Sequence, residues 1–161
     1  MKQTIQNTLI LLIIFLSFEH SLFAQDAGRI SVPGSKVSMI PPEGFTLSND
    51  FQGFIHLAST SAIQVTDRPG VNPISLKFSF TKEVLEPQGI TLISQEDVKT
   101  NAGVPSTLVL VSFTVEGMDF ERYIFITGDH NNMYIINANY PVMTKELIQD
   151  EMKKALLTVQ F

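Results

Sequence analysis

Three strand-like runs crowd the last third of the chain, and they constrain the fold more than any other feature. Ser106 to Val115, Asp119 to Thr127 and Met133 to Tyr140 are rich in β-branched and aromatic residues, and short links at Glu116-Gly117 and at Gly128 to Asn132 separate them. Polar links of that length fit hairpins, so the runs predict an antiparallel meander. A helix follows. After Pro141, Thr144 can cap a segment in which Leu147, Ile148, Met152, Ala155 and Leu156 recur at three- and four-residue spacing, with Lys145, Asp150, Glu151, Lys153 and Lys154 on the other side. One apolar stripe of this kind covers one face of a sheet.

Upstream the punctuation is denser. Val37 and Met39 lead into Ile40-Pro41-Pro42-Glu43-Gly44-Phe45, a strand stopped by prolines that cannot donate to a ladder. Phe51 to Ala58 and Ala62 to Thr66 read as a hairpin across Ser59-Thr60-Ser61, and Asp67 to Pro73 reads as a loop. Ile74 to Glu86 is ambiguous. Leu76, Phe78 and Phe80 alternate as in a strand, yet Thr81 to Glu86 before Pro87-Gln88-Gly89 favours a short helix over 80–86. Ile90 to Val98 is a strand and Asn101-Ala102-Gly103 a turn. The expected fold class is α+β, an antiparallel β-sheet of about six strands flanked by helices.

The start of the chain belongs to another category. Met1-Lys2-Gln3, the apolar run Leu9 to Leu16, and Leu22-Phe23-Ala24 before Gln25 read as a secretory signal peptide over 1–24. A membrane span takes about 20 apolar residues, so none is expected to persist after cleavage, with an uncleaved anchor as the alternative. Residues 25–35 are small and polar and read as a flexible leader with room for one short strand near Arg29 to Val32. Residues 36–161 form a single domain. The body is therefore expected outside the cytoplasm, periplasmic or secreted. The chain has no Cys, which excludes disulfides, a thiolate nucleophile, cysteine zinc sites and a lipid-modified cysteine. Eleven basic groups against 16 acidic ones give a net charge of −5, and no basic stripe is present, which argues against nucleic acid as a partner.

A two-residue turn at Glu116-Gly117 would pair Val115 with Met118, Ser112 with Glu121 and Leu110 with Tyr123. If Thr127 then pairs with Met133, Glu121 faces Asn139, Tyr123 faces Asn137 and Phe125 faces Ile135. One face of the meander gathers Val109, Val111, Ile124, Ile126, Ile136 and Ala138 around a single charge, Arg122, and is the face the closing helix is expected to cover. The other is graded, from Leu108, Phe125 and Ile135 through Tyr123 and Asn137 to Ser112, Glu121 and Asn139. Such a polar-edged apolar surface suits a groove for a ligand or peptide; a second helix or loop over its apolar end fits an ordinary half-covered sheet equally. Arg68, beside Asp67 and Pro69, offers a planar fork to a carboxylate or phosphate. The candidate binding residues are therefore Ser112, Glu121, Tyr123, Asn137, Asn139 and Arg68. Arg122 must either reach the sheet edge along its stem or meet a partner.

Catalytic constellations are thin. No Gly-x-Ser-x-Gly elbow, phosphate loop or His-Glu-x-x-His occurs. Beyond the signal segment there are two histidines, His56 in a strand-like run and His130 in a polar link whose Asp129 and Asn131 suit turn geometry without a metal. No catalytic residue, metal or cofactor is expected. The leading expectation is a small exported accessory or binding protein, non-catalytic, acting on an unknown envelope protein or small ligand. One alternative is a structural or interaction subunit of a cell-envelope complex. The other is a small hydrolase, which would need a histidine within reach of a carboxylate and a hydroxyl in a pocket.

The order of these elements resembles a known family. Pro41-Pro42-Glu43-Gly44-Phe45, the strand and loop Ile63, Val65, Asp67 and Pro69, the Asn101 to Gly103 turn, Gly128-Asp129, the strand end Ala138, Tyr140, Pro141, and the closing Ala155-Leu156-Leu157 look like the PsbP-like proteins, including the bacterial DcrB-like group. The likeness spans most of residues 36–160. It implies an α/β/α sandwich built on an antiparallel sheet and a non-enzymatic accessory or binding role. DcrB-like members are often lipid-anchored, and the missing cysteine departs from that. The photosynthetic role does not carry over, because no matching metal-binding cluster is present.

Overall fold

The Glu116-Gly117 link takes positive φ at both positions, 51° and 80°, the pattern that suits a two-residue turn between right-twisted strands. A computed structural model describes residues 27–161, and the segment read as a signal peptide lies outside them. The turn closes β7 (Pro105–Val115) onto β8 (Met118–Gly128) in the predicted register, with Ser112 opposite Glu121 and Leu110 opposite Tyr123.

The next hairpin differs by one residue. β9 (Asn132–Pro141) sets Tyr134, not Met133, opposite Thr127, so that Asn139 faces Arg122 and Ala138 faces Tyr123. The turn chemistry explains the slip. Asp129 Oδ1 accepts the N–H of Asn131 at 2.7 Å and of Asn132 at 2.8 Å, and the Asp129 N–H bonds Asn132 O at 2.9 Å, which leaves only His130 and Asn131 at the tip. Gly128 permits this close approach, since a Cβ there would sit 2.0 Å from the Asn132 carbonyl oxygen. A shift of one residue turns every side chain of β9 to the opposite face.

Seven strands make the main sheet, one more than the approximate count expected. The remaining members are β3 (Thr46–Leu47), β4 (Gly53–His56), β5 (Ser61–Pro69) and β6 (Thr91–Lys99), in the order β3-β4-β5-β9-β8-β7-β6. All neighbours are antiparallel. A separate pair joins β1 (Ile30–Ser31) to β2 (Ser38–Met39). Val32 behind it is buried, and Arg29 Nη1 donates to Thr158 O at 2.8 Å, so the described part of the expected leader is fastened to the chain's last residues.

With β9 turned over, Tyr134, Ile136, Ala138 and Tyr140 join Leu108, Leu110, Tyr123 and Phe125 on one face, and helix α3 (Lys145–Leu157) covers that face. This corrects two expectations together: the helix lies on the side read as a groove, not on the side of Val109 and Ile124. Ile148, Met152, Ala155 and Leu156 are buried as the spacing predicts, each fully buried large side chain contributing about 1.5–3 kcal/mol. Leu147 is not among them. It is 79% exposed, and Val159 beyond the helix enters the core instead. Thr144 sits at the N-cap, but its hydroxyl donates to Pro141 O at 2.9 Å and makes no side-chain cap. Lys153 reaches across to Glu96 of β6 at 2.6 Å.

The opposite face carries a smaller core of Val109, Val111, Ile124, Ile126 and Met133 with Leu85. Above it lie helices α1 (Ile74–Lys77) and α2 (Lys82–Leu85) and a 3-10 turn at Glu86–Gln88, so the ambiguous segment is helical. Leu76 and Phe80 pack against this core, while Phe78 is exposed. Lys77 ties α1 to Asp97 on β6 at 2.6 Å, a solvated pair of small energetic weight. The strap ends there. Residues of β4 and β5 on this side, Ile55, Ala62, Gln64, Thr66 and Arg68, belong to neither core. No described helix is long and apolar enough to cross a membrane.

Candidate functional site

The one-residue slip divides the six candidate residues. Ser112, Glu121 and Tyr123 stand on the α3 face, whereas Asn137, Asn139 and Arg68 stand on the other. The groove that would have held all of them does not form.

Glu121 is 6% exposed beneath the start of α3. Its Oε1 accepts Lys145 Nζ at 2.7 Å, and its Oε2 accepts the Tyr140 hydroxyl at 2.7 Å and Gln149 Nε2 at 3.3 Å. Three donors and the positive end of the helix dipole satisfy the carboxylate. It pins the first two turns of α3 to β8 and β9. Tyr123 is buried beside it; burial first, and then the negative Asp150, push its hydroxyl up to about 12. Burial first, and then the bond to Glu121, drive the Tyr140 hydroxyl well above the ordinary tyrosine range. Ser112 and Glu121 do line one shallow polar depression of about 360 Å3, with Thr91, Thr114 and Asp119. Part of its polarity is already engaged, since Thr114 Oγ1 donates to Asp119 at 2.7 Å.

Across the sheet, Arg122 is half-buried between Phe113 and Asn139. Its guanidinium carbon lies 4.7 Å from the Phe113 ring centroid, that ring stacks on Phe120 at 5.8 Å, and Nε donates to Asn139 Oδ1. Burial lowers its pKa, and no ionic contact offsets the loss. Neither Arg122 nor Arg68 has a carboxylate partner among the described residues. Arg68 sits on the same face, opposite Met133, while Arg122 is opposite Asn139. Six residues of β9 separate those two levels, roughly 20 Å at strand rise. Gln64 pairs with Asn137 in between, and Thr66 with Ile135. Two guanidiniums, three amides and a hydroxyl thus share this face of the sheet. Arg122, Gln64 and Thr66 were missed as members of this group. The alternation Gln64-x-Thr66-x-Arg68 together with Asn137-x-Asn139 was the available signal, but it acquires meaning only once β5 is paired with β9.

The histidines occupy structural settings. His56 stacks on Phe45 at 5.2 Å and its Nδ1 lies 2.6 Å from Ser59 Oγ. Ser59 donates onward to Ser61 Oγ at 2.8 Å, and Ser61 donates back to Ser59 O at 3.1 Å. Both hydroxyl protons are used inside the turn, so Ser59 accepts from the imidazole and is not activated by it. His130 is exposed at the β8–β9 tip, and Asp129 beside it is held below the usual carboxylate range by the N–H groups of Asn131 and Asn132. Neither histidine has a carboxylate partner among the described residues, and no group of three metal-ligating side chains occurs among them. Elsewhere, two adjoining, mostly apolar cavities of about 350 Å3 each share Pro73, Ile74 and Pro105 where α1 meets the start of β7.

No sequence-family profile matches the chain, and no curated protein matches it in sequence. Solved structures do match. The cyanobacterial PsbP (CyanoP) from Synechocystis sp. PCC 6803 superposes with a TM-score of 0.58 at 12% identity, over 82% of this chain and 90% of that one. LpqN of Mycobacterium tuberculosis, described as involved in cell envelope biogenesis, gives 0.57 at 11% identity, over 82% and 88%. A Bacteroides thetaiotaomicron protein gives 0.53 at 18% identity and covers 83% of this chain, which spans only 47% of that longer one. Identities this low speak for architecture alone. With a seven-stranded antiparallel sheet, one long helix on one side and a strap of short helices on the other, the chain has the PsbP-like fold.

Proposed function

We propose that the chain is an exported, non-catalytic accessory protein that works by holding a partner against the uncovered half of its sheet. The observation that carries this reading is the unequal covering of the two faces: α3 closes one, while the strap on the other stops short of β5 and β4. Asn137, Asn139 and Arg68 keep their candidate status there, now with Arg122 and Gln64, whereas Glu121 and Tyr123 serve the packing of α3. The signal-like start supports export, and the involvement of LpqN in cell envelope biogenesis is in keeping with that setting. A photo-crosslinking residue at Gln64 in the exporting cell should yield one defined adduct that the same residue at Lys154, on the outer side of α3, does not. Equal adducts from both positions, or none from Gln64, would remove the reading. Mass analysis of the exported protein should place its first residue at Gln25.

A second reading, as a subunit of an envelope complex, is favoured by apolar side chains at the sheet end where β5 begins and β9 stops. Leu57 is 81% exposed, Met143 83% and Leu147 79%. If they form one contiguous patch, they suit a surface that another protein covers. Crosslinks from Met143 with none from Gln64 would select this reading over the first.

A further inference from the structure

We infer that the uncovered half-face is a docking site for an extended, acidic segment of a partner protein, whose carboxylates meet Arg68 and Arg122 at opposite ends of the site. The inference rests on the binding role proposed above and adds the chemistry of the partner. The first support is the charge pattern. The chain carries a net −5, yet on this side β5, β9 and β8 together present Arg68 and Arg122 and no acidic residue. Charge complementarity therefore selects a negative partner for this face.

The second support is the state of Arg122. Asn139 takes its Nε and the Phe113 ring lies under its guanidinium, which leaves both terminal nitrogens without a protein partner among the described residues. A half-buried guanidinium held flat, oriented and unpaired keeps its bidentate fork for an incoming carboxylate. A free-swinging surface arginine would lack that preorganisation.

The third support is spacing, and it selects a polypeptide over a small anion. The two arginines lie roughly 20 Å apart along β9, too far for one phosphate or one carboxylate to touch both. Between them Gln64 and Asn137 form a cross-strand amide pair, able to donate to and accept from a peptide backbone. An extended chain rises about 3.3 Å per residue, so acidic residues six positions apart match the two guanidiniums.

The test uses the exported protein purified from its own host and a fluorescein-labelled nine-residue peptide of Ser, Thr and Val with Glu at its second and eighth positions. The peptide should bind in a salt-dependent way, and a version with Lys at both positions should not. Moving the second Glu to the fourth position should weaken binding several-fold. Arg68→Gln and Arg122→Gln should each weaken it about tenfold or more, with Arg122→Lys intermediate, since it keeps the charge and loses the fork. Arg68 is exposed, so its variant serves as the arm that does not depend on folding, and circular dichroism monitors the Arg122 variants. Binding that survives Arg68→Gln and Arg122→Gln unchanged, or no preference for the Glu peptide over the Lys peptide, would overturn the inference. Displacement by inorganic phosphate at equal concentration would overturn it in favour of a simple anion site. A Gln64 crosslink to a protein without acidic segments would overturn it while leaving the docking role intact; no crosslink at all would remove the docking role as well.

Discussion

The two faces of the sheet are built to different standards. On the α3 side, Phe54, Phe125, Ile136, Met152 and Leu156 are all fully buried, and the acidic group that enters this region, Glu121, meets three donors. On the other side the core is small, the helices above it are four residues long, Phe78 is left in water, and Arg122 finds one amide and one ring. The closed face satisfies what it buries. The open face retains polar groups with capacity to spare, as the proposed docking role requires.

The comparison is broken most directly by large-to-small changes. Phe125→Ala on the closed face should lower unfolding free energy by about 3–5 kcal/mol in urea denaturation, while Phe113→Ala, only half-buried on the open face, should lower it by about 1–2 kcal/mol. Equal losses would mean that both faces bear stability alike. Next in size is Glu121→Ala, which strands Lys145 and the Tyr140 hydroxyl. Removing one partner of a buried pair costs about 3–5 kcal/mol, and because 36% of the Lys145 side chain remains in water the expected loss is about 2 kcal/mol.

Alkaline titration sharpens the comparison further. All three tyrosines lie on the closed face and all three have raised pKa values, with Tyr123 pushed up to about 12 mainly by burial. Their stabilising contribution is intact below the unfolded value near pH 10 and is lost as pH rises from there through about 12, because the unfolded chain releases these protons first. Native protein near pH 10.5 should therefore show little tyrosinate absorbance at 295 nm, and the urea-unfolded chain should be more than half ionised. Substantial ionisation with native circular dichroism would show the closed face to be wetter than its packing indicates.

The smallest effects belong to the open face. Arg122→Met keeps the stem over Phe113 and removes an unpaired charge, so stability should stay within about 1 kcal/mol or rise. Gln64→Ala should change it by less than about 0.5 kcal/mol, as for an ordinary surface position.

The difference between the two hairpins also marks where sequence was readable. Glu116-Gly117 has one good closing geometry, so the register from Ser112–Glu121 to Leu110–Tyr123 followed from the link alone. The link from Gly128 to Asn132 can close about either of two centres, and hydrogen bonds to the Asp129 side chain decide between them, which hydrophobic alternation does not report. One residue of shift then moved Asn137 and Asn139 away from Glu121 and Tyr123 and reversed the face that α3 covers. Most element types and their order survived, because they depend on periodicity and punctuation within each segment; the exception is Asp67 to Pro69, read as the start of a loop, through which pairing with β9 extends β5. The grouping of Arg68 with Arg122 depends on β5 meeting β9 across more than sixty residues, and no local pattern encodes that meeting.

That long-range pairing also sets a timetable for biogenesis. β9 is among the last strands synthesised, yet it occupies the middle of the sheet, with β5 on one side and β8 on the other. Until residues 132–141 have been made, β3, β4 and β5 have no seat beside the meander, and the loop to be closed is among the longest in the chain. The strand order itself thus postpones completion of the sheet until residues 132–141 are available.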